Sequence, residues 1–364
     1  MSDGLEDVIV ADTVLSLADS SAGRLWVRGV ELPELVARHG YEGTVALLWE
    51  GFAGDGLTRA GVEQRLGAAR AAAFARLGSW LPAATALPLA VGVRLGLAGL
   101  PDDSAPEAIV ATLAVGVPAL LRAATGVAPL APDPALPTAA DLLRMLHGTV
   151  PTPAAAGALD TYFVVMADSG MSPSNFTARI VASTRASLPA AVLGAWCAFT
   201  GPLHGGAPGP TLDLLDALAA AEDMEAWVEA RLRARERLMG FGHRLFRGND
   251  PRAAAMRAAL ERMGPAAGRL ALAGQAEAAV AAAAARVKPG LRLPANVEIM
   301  ASVLLEAVGI DRQGFTAVFA VARAPGWIAH ALEQQATGRM FRPTSRYVGP
   351  PIAEPCRDAA APGG

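Results

Sequence analysis

The sequence predicts an all-α protein that begins with a short β-hairpin. After residue 30, nearly every long segment spaces its apolar residues at helical intervals, and no convincing pair of strands follows. Hydrophobic residues make up 52% of the 364 residues and aromatic residues only 5%, so small aliphatic side chains supply a core large enough for packed helices. A chain of this length corresponds to about two domains, or to one large core with a lobe attached.

Charge and cysteine content exclude several classes of protein. The 31 basic and 34 acidic side chains give a net charge of −3, whereas proteins that bind duplex DNA usually carry a basic excess. Cys197 and Cys356 are the only cysteines, which predicts neither a disulfide framework nor a zinc cluster. The uncharged run at 108–121 spans about 14 residues, too few for a membrane-spanning helix. The acidic start differs from a signal peptide, so we expect a cytoplasmic protein without nucleic-acid, membrane or metal partners.

The first half of the chain is predicted to form a hairpin and then helices. Residues 13–17 and 24–29 alternate weakly around a turn at Gly23, which is typical of two paired strands. A Pro-rich stretch at 128–137 breaks the helical pattern, and Thr138 is the predicted N-cap of the helix that follows it. Helices are expected at 31–38 and 42–50, separated by Gly40, and at 61–77, 84–98 and 105–123.

The second half is predicted to be helical almost throughout. The expected helices are 153–168, 173–186, 188–199, 211–220, 222–239, 251–263, 265–286, 297–308 and 313–335. The residues after Val348 are rich in Pro, Ala and Gly, so we expect a flexible tail.

One of the histidines lies in a glycine-rich loop directly before a predicted helix. The loop reads Gly201-Pro202-Leu203-His204-Gly205-Gly206. Glycines let a backbone approach a ligand closely, and the positive end of the helix dipole disfavours an imidazolium. A neutral imidazole can donate one hydrogen bond to a carbonyl group, as in triosephosphate isomerase. A capping loop with an incidental histidine is the alternative.

A second histidine lies among arginines. His243 follows Met239-Gly240-Phe241-Gly242, and Arg247 and Arg252 come shortly after it. The two glycines predict a tight loop between helices. Guanidinium groups in such a loop could bind an anion, whereas a solvated basic loop is the alternative.

Two charged residues enter apolar helices further along the chain. Glu298 follows Asn296-Val297 at a helix start, where a carboxylate is often only a favourable charge on the helix dipole. Arg323 lies in an otherwise apolar helix and therefore needs an anionic partner or ligand, because an unpaired buried charge costs several kcal/mol. Arg342 exposes a further guanidinium after that helix.

Taken together, these blocks resemble the citrate synthase family. The matching strings are residues 201–207, 239–244, 250–252, 296–298, 322–323 with 326–330, and 342–343 with 347–350. Residues 12–29 and 178–184 also look similar, so the resemblance covers 12–50 and 153–350, and covers 52–150 only by helical character. The resemblance implies an N-terminal arm and β-hairpin at 1–30, a large helical domain from 31–209 and 313–350, a small helical domain at 210–312, and a flexible tail at 351–364.

The resemblance implies an acyltransferase of the tricarboxylic acid cycle. It would condense acetyl-CoA with oxaloacetate and hydrolyse the citryl thioester to citrate and CoA, with no permanently bound cofactor. Glu298 would take the α-proton of the acyl group, and His204 would donate a hydrogen bond to the thioester oxygen. His243 would protonate the ketone oxygen of oxaloacetate.

The resemblance also implies binding residues and a partner. Arg252, Arg323 and Arg342 would bind the carboxylates of oxaloacetate, with Arg342 contributed across the interface of a homodimer. Phe241, Gly242 and Arg247 would lie near the CoA nucleotide.

Two residues depart from the family pattern. The family usually has aspartate at Glu298 and a substrate-binding histidine at Ser169. A serine cannot carry a positive charge, so the pocket is expected to bind oxaloacetate weakly, to use a water molecule, or to accept another oxo acid. A 2-alkylcitrate synthase (2-methylcitrate synthase, for example) that uses a longer acyl-CoA is one alternative function. A catalytically impaired paralogue that binds CoA or dicarboxylates is the other.

Overall fold

A computed structural model of the chain describes residues 3–5, 8–19, 21–205, 208–242 and 250–350. Helices dominate these residues, and their strands form one small sheet near the N-terminus. The predicted all-α class is confirmed. The tail predicted at 351–364 lies outside the described residues.

The N-terminal sheet has one strand more than the sequence predicts. Its antiparallel strands are β1 (Ser16–Asp19), β2 (Arg24–Val27) and β3 (Val30–Glu31), in the order β1-β2-β3. In place of a simple hairpin, the chain turns back a second time at Arg28 and Gly29, which have φ angles of 52° and 81°. Glycine adopts such angles freely. Arg28 is held there by a hydrogen bond from its Nη2 to the carbonyl oxygen of Glu50 at 2.9 Å.

The first half of the chain contains α1 (Leu32–Glu34), a π-helical turn (Leu35–His39), α2 (Gly40–Trp49), α3 (Arg59–Arg76), a 3-10 turn (Leu77–Ser79), α4 (Leu81–Ala84), α5 (Leu89–Ala98), α6 (Pro106–Ala124) and α7 (Thr138–His147). Gly40 separates the π-helical turn from α2, as predicted, because its φ of 63° and ψ of −172° are not helical. The predicted capping role of Thr138 is wrong: Pro137 occupies the N-cap position and makes no side-chain cap. The Thr138 hydroxyl instead accepts a hydrogen bond from the buried Arg70 at 3.0 Å.

The second half contains α8 (Pro153–Ala167), α9 (Pro173–Ser183), α10 (Leu188–Phe199), α11 (Pro208–Ala220), α12 (Met224–Arg233), α13 (Pro251–Met263), a 3-10 turn (Gly264–Ala267), α14 (Leu270–Val287), α15 (Val297–Ala307), a second 3-10 turn (Arg312–Gly314) and α16 (Phe315–Thr337). Side-chain caps fix the starts of six of these helices, among them α9, α13 and α15. Ser172 caps α9, Asp250 accepts from the N–H of Arg252 in α13, and Asn296 accepts from the N–H of Glu298 in α15. Each cap stabilises its helix by about 1 kcal/mol.

Helix α16 is the central element of the core. It packs against α6, α8, α9 and α10. A Cβ atom at Gly326 would lie 2.3 Å from the carbonyl oxygen of Ala167, so a larger residue could not occupy that position. This close approach brings the residue after α8, Asp168, against α16.

The helices α11–α15 pack largely on one another. Helix α12 lies against α14, α15 contacts both α11 and α13, and α13 also contacts α8. Three helical stretches, Pro106–Ala124, Leu270–Val287 and Arg312–Ala336, are long and apolar enough to cross a membrane. The first and third are largely buried among other helices, at 67% and 83%, so their apolar character serves internal packing.

Candidate active site

Charged side chains from separate helices meet beside the loop between α10 and α11. The positive charge of Arg323 in α16 lowers the pKa of His204 in that loop. The positive charge of Arg252, at the start of α13, lowers the pKa of Arg323 in turn. The charge of Arg252 also acts on Glu298 in the first turn of α15. These residues, far apart in sequence, are therefore brought into one neighbourhood.

The first turn of α9 holds His204. The backbone N–H of Ser174 donates to Nε2 of His204 at 3.3 Å, and the Ser174 hydroxyl lies 2.8 Å from the same nitrogen. This N–H is available because first-turn amides have no partner within their own helix. Because a backbone N–H can only donate, Nε2 is the acceptor, and the proton of the neutral ring lies on Nδ1. His204 therefore presents an N–H donor at Nδ1.

The surroundings of His204 keep its ring neutral. Burial, assisted by the positive charge of Arg323, lowers the pKa of His204 from 6.5 to about 4. The ring packs edge-on against Phe199, with centroids 5.1 Å apart. Phe199 in turn packs edge-on against Phe319 at 4.7 Å, and the Arg323 guanidinium lies 5.3 Å from the Phe319 ring centre. One aromatic cluster thus supports both the neutral histidine and the nearby cation.

Glu298 has a carboxylate oxygen without a hydrogen-bond partner. Its Oε2 is buried and accepts no hydrogen bond from the residues that the structure describes. Burial raises the pKa of Glu298 above 4.5, although the charges of Arg237 and Arg252 and a hydrogen bond with Asn296 act in the opposite direction. A partly desolvated carboxylate of this kind is a suitable proton acceptor for a bound ligand.

A short antiparallel bridge joins the segment before α15 to the segment that leads to His243. Phe241 pairs with Ala295, and the N–H of Gly242 donates to the carbonyl oxygen of Pro294 at 2.9 Å. The Nδ2 of Asn296 donates to the carbonyl oxygen of Gly242 at 3.0 Å. The bridge therefore fixes Phe241 and Gly242 beside the start of the helix that carries the carboxylate.

Gly240 is required for this bridge to form. Its φ angle is 81°, and a Cβ atom would lie 2.5 Å from the side chain of Ile299. The predicted site residues His243 and Arg247 come directly after the bridge and lie outside the described residues.

The two buried arginines of this group are held differently. Arg323 donates from Nε to the carbonyl oxygen of Met166 at 2.5 Å, and burial lowers its pKa to about 10, so it stays positive at neutral pH. Arg252 is held by Asp250, whose carboxylate accepts from Nε at 3.0 Å and from Nη2 at 2.9 Å. Each guanidinium is therefore fixed by the protein before any ligand arrives.

Two predicted site residues, Ser169 and Arg342, make no contact with this group that the structure describes. Ser169 is half-buried and lies in the segment between α8 and α9. Arg342 is exposed on the segment after α16, where the neighbouring Phe341 packs edge-on against Phe176 at 5.6 Å. In the single chain, Arg342 does not join the other arginines.

Ser174 and Asp168 were not predicted as site residues. Asp168 directly follows α8 and is fully buried against α16, whereas Ser174 lies in the first turn of α9 and contacts His204. The Ser172-Pro173 pair signals a helix start and could have shown that the Ser174 amide lies in a first turn. No local sequence pattern indicates that Ser174 contacts His204, which lies 30 positions further along the chain.

A cavity of about 840 Å³ opens next to the bridge, between α13 and α14. Its walls combine small apolar side chains with two arginines, Arg257 and Arg292, and with the carboxylates of Asp250, Glu261 and Glu277, of which Glu277 pairs with Arg257. The lining residues include Asp250, Ala254, Ala281, Leu293, Pro294 and Ala295. Within the described ranges, no group of three or more His, Cys, Asp or Glu side chains is arranged to hold a metal ion.

Known proteins resemble this chain along almost its whole length. A family model described as the C-terminal domain of citrate synthase matches residues 4–344. A citrate synthase of Haloferax volcanii is 33% identical, covering 95% of each chain, and a citrate/2-methylcitrate synthase of Bacillus subtilis is 32% identical, covering 96% of each. The crystal structure of citrate synthase from Thermotoga maritima superposes with a TM-score of 0.84, at 26% identity over 97% of both chains.

Proposed function

This chain belongs to the citrate synthase family and is an enzyme of that type. We propose that it condenses acetyl-CoA with oxaloacetate and hydrolyses the product thioester to citrate and CoA. The observation that carries the proposal is that a neutral N–H donor, His204, and a partly desolvated carboxylate, Glu298, each lie within reach of the charge of a fixed arginine, Arg323 for His204 and Arg252 for Glu298. Enolate formation from a thioester needs this combination of groups.

Glu298 acts as the base in the proposed first step. Its buried Oε2, which accepts no hydrogen bond from the described residues, takes a proton from the methyl group of acetyl-CoA. The Nδ1–H of His204 donates to the thioester oxygen, where negative charge develops as the proton leaves. A neutral histidine suits this role because it donates a hydrogen bond without requiring a buried imidazolium.

His243 acts as the acid in the proposed second step. The enolate carbon attacks the ketone carbon of oxaloacetate, and His243 gives a proton to the ketone oxygen as the carbon–carbon bond forms. The bridge at Phe241 and Gly242 supports this role, because it fixes the segment leading to His243 beside Glu298. Water then hydrolyses the thioester and releases CoA.

The arginines bind the two carboxylates of oxaloacetate in this proposal. Arg252 and Arg323 are fixed and positive, and their mutual repulsion favours an anionic ligand between them. Ser169 directly follows Asp168, on which the charge of Arg323 acts, and it offers a neutral hydroxyl, so we expect weaker oxaloacetate binding than a histidine would give.

The cavity between α13 and α14 is the proposed binding groove for the CoA nucleotide. Its volume of about 840 Å³ lies in the range of ligand pockets. Phe241 and Gly242 border it through the bridge to Pro294 and Ala295, and Arg247 would add a further positive charge for the phosphates. CoA is a co-substrate here, and the proposal requires no permanently bound cofactor.

We also propose that the enzyme is a cytoplasmic homodimer in which Arg342 completes the partner's site. Apolar side chains that a second copy would cover support this: Leu203, beside His204, is 97% exposed, and Tyr347 and Val348 near Arg342 are 66% and 80% exposed. Helices α11–α15 pack largely on one another, which supports a small domain at 210–312 and a large domain from 31–209 and 313–350. Closure of the cleft between them would exclude water from the enolate.

Release of CoA thiol tests the proposal. Purified protein is supplied with oxaloacetate and, separately, with acetyl-CoA, propionyl-CoA or a longer acyl-CoA. We expect oxaloacetate-dependent thiol release with acetyl-CoA as the preferred donor. Preference for propionyl-CoA would support a 2-methylcitrate synthase, an activity that the name of the Bacillus subtilis relative includes. No release with any donor would support a catalytically impaired paralogue.

A further inference from the structure

A buried network of charged side chains lies behind the turn that holds His204. We call it the carboxylate network; it consists of Asp168, Arg179, His330 and Glu333, all at least 95% buried. Glu333 forms an ion pair with Arg179. Arg179 donates from Nε to Nδ1 of His330 at 2.8 Å, and Nε2 of His330 lies 3.2 Å from Oδ1 of Asp168. The proposed reaction uses none of these groups.

The proton positions in the network follow from its geometry. The Nε–H of Arg179 can only donate, so Nδ1 of His330 is an acceptor and its Nε2 carries the proton that faces Asp168. Burial alone would raise the pKa of Asp168, but the hydrogen bond from His330, the charge of Arg323 and the hydroxyl of Ser16 lower it below its ordinary value. Asp168 is therefore a carboxylate held in one orientation.

Asp168 controls the turn that leads to Ser174. The Nδ2 of Asn175 donates to Oδ1 of Asp168 at 2.7 Å and to the carbonyl oxygen of Gly170 at 2.6 Å. Ser16 of β1 donates to Oδ2 of Asp168 at 2.5 Å, which ties the N-terminal sheet to the same carboxylate. Asn175 directly follows Ser174, so the position of the Ser174 amide depends on these bonds.

We propose that Asp168 is a positioning residue that acts through Asn175 and Ser174 to fix the orientation and the tautomer of His204. Without the bond from Asn175, the turn at 168–175 could shift, and the Ser174 amide would no longer select Nε2 as the acceptor. The ring would then exchange between its two neutral tautomers, only one of which directs an N–H from Nδ1. The catalytic consequence rests on the function proposed above, whereas the effect on the tautomer does not.

The ¹⁵N NMR spectrum of the histidine side chains tests this proposal in the resting protein. Nitrogens with and without a proton have well-separated shifts, and a His204→Gln variant assigns the signals. We expect His204 of the unaltered chain to show the Nδ1–H tautomer, and we expect averaged signals from both tautomers in Asn175→Ala. Should Asn175→Ala fail to fold, the isosteric Asp168→Asn, which removes the charge, is expected to shift the signals in the same direction. An unchanged His204 spectrum in the folded variant would overturn the proposal.

Tyr41→Phe is the matched control. It removes a buried hydrogen bond from the Tyr41 hydroxyl to the carbonyl oxygen of Val321 at 2.8 Å, also on α16 but without a link to the turn. We expect it to lower thermal stability and to leave the His204 tautomer unchanged.

In active enzyme, Asn175→Ala should lower kcat roughly 10- to 100-fold, with KM for oxaloacetate nearly constant, since a small misplacement of a reacting group has effects of this size. If Asn175→Ala alters the His204 tautomer but the unaltered chain shows no activity, the positioning role of Asp168 is supported and the proposed function is rejected.

Discussion

Ser174 contacts His204 through both its backbone and its side chain: the amide nitrogen lies 3.3 Å and the hydroxyl oxygen 2.8 Å from Nε2. The two contacts differ in what they control. The amide selects the tautomer because it can only donate, whereas the hydroxyl adds a second donor that can rotate. A loop histidine thereby becomes an oriented neutral hydrogen-bond donor.

Ser174→Ala should separate the two contacts. The variant keeps the amide and loses the hydroxyl, so the tautomer should persist while the ring is held less firmly. The net value of a neutral hydrogen bond is about 0.5–1.5 kcal/mol, so we expect kcat to fall roughly 2- to 12-fold with little change in KM for oxaloacetate. Thr112→Ala is the control, since its hydroxyl bonds only the carbonyl oxygen of Ala108 within α6. Equal kinetics for both variants would reject the role of the Ser174 hydroxyl.

The stability of the protein should fall as the pH drops from about 6.5 to about 4 because of His204. The pKa of this ring is about 4 in the folded protein and 6.5 ordinarily, so the unfolded chain binds the proton first. By linkage, acidification between these two pKa values lowers the free energy of unfolding. This contribution stops changing once the ring of the folded protein also binds a proton. Urea unfolding at pH 7 and pH 5 measures it. His204→Asn should lose less stability over this interval than the unaltered chain, and an identical loss would show that the ring is not held neutral.

Arg342 should act across a dimer interface. Each single variant, Arg342→Ala and His204→Ala, is expected to be nearly inactive. When the two chains are unfolded, mixed and refolded, each hybrid dimer contains one site with both residues, so about a quarter of all sites should be complete. Recovery near that fraction supports a shared site. Full activity from a chain that light scattering shows to be monomeric would rule it out.

Ser169→His should tighten oxaloacetate binding. A charged hydrogen-bond partner contributes about 1.5–3 kcal/mol, so KM for oxaloacetate should fall roughly 10- to 150-fold, provided that Arg252 and Arg323 already orient the substrate. If the pocket serves another oxo acid, the same substitution should impair that substrate while improving oxaloacetate. Unchanged oxaloacetate kinetics would show that Ser169 does not face the substrate.

The sequence predicts the helices well and the contacts between them poorly. Starts marked by a capping residue and a proline in the first turn, such as Asp250-Pro251 and Ser187-Leu188-Pro189, agree with the predicted helix boundaries. Thr138 was predicted as a cap, and the prediction is wrong because Arg70, far away in sequence, takes its hydroxyl. Local patterns report backbone propensity and do not report which distant side chain competes for a polar group.

In the candidate site, too, the sequence identifies individual residues better than it identifies the contacts between them. The motifs around His204, Glu298 and Arg323 identify residues that the fold brings into one neighbourhood. Asp168 and Asn175 were missed because their role depends on a packing contact, the close approach of α8 and α16 at Gly326, that no periodicity encodes. The exposed position of Arg342 reflects the single chain, whose site is expected to need a second copy.

We propose that Glu298 removes the α-proton of an acyl-CoA for attack on oxaloacetate. The measurement that checks this role is oxaloacetate-dependent release of CoA thiol from acetyl-CoA by Glu298→Gln, compared with the unaltered chain at equal concentration of folded protein. An amide cannot accept that proton, so we expect at least a 100-fold loss of turnover, in line with the roughly 10²- to 10⁴-fold contribution of a general base, while oxaloacetate binding measured by calorimetry is retained. Turnover within a few-fold of the unaltered chain would contradict the assignment of Glu298 as the base.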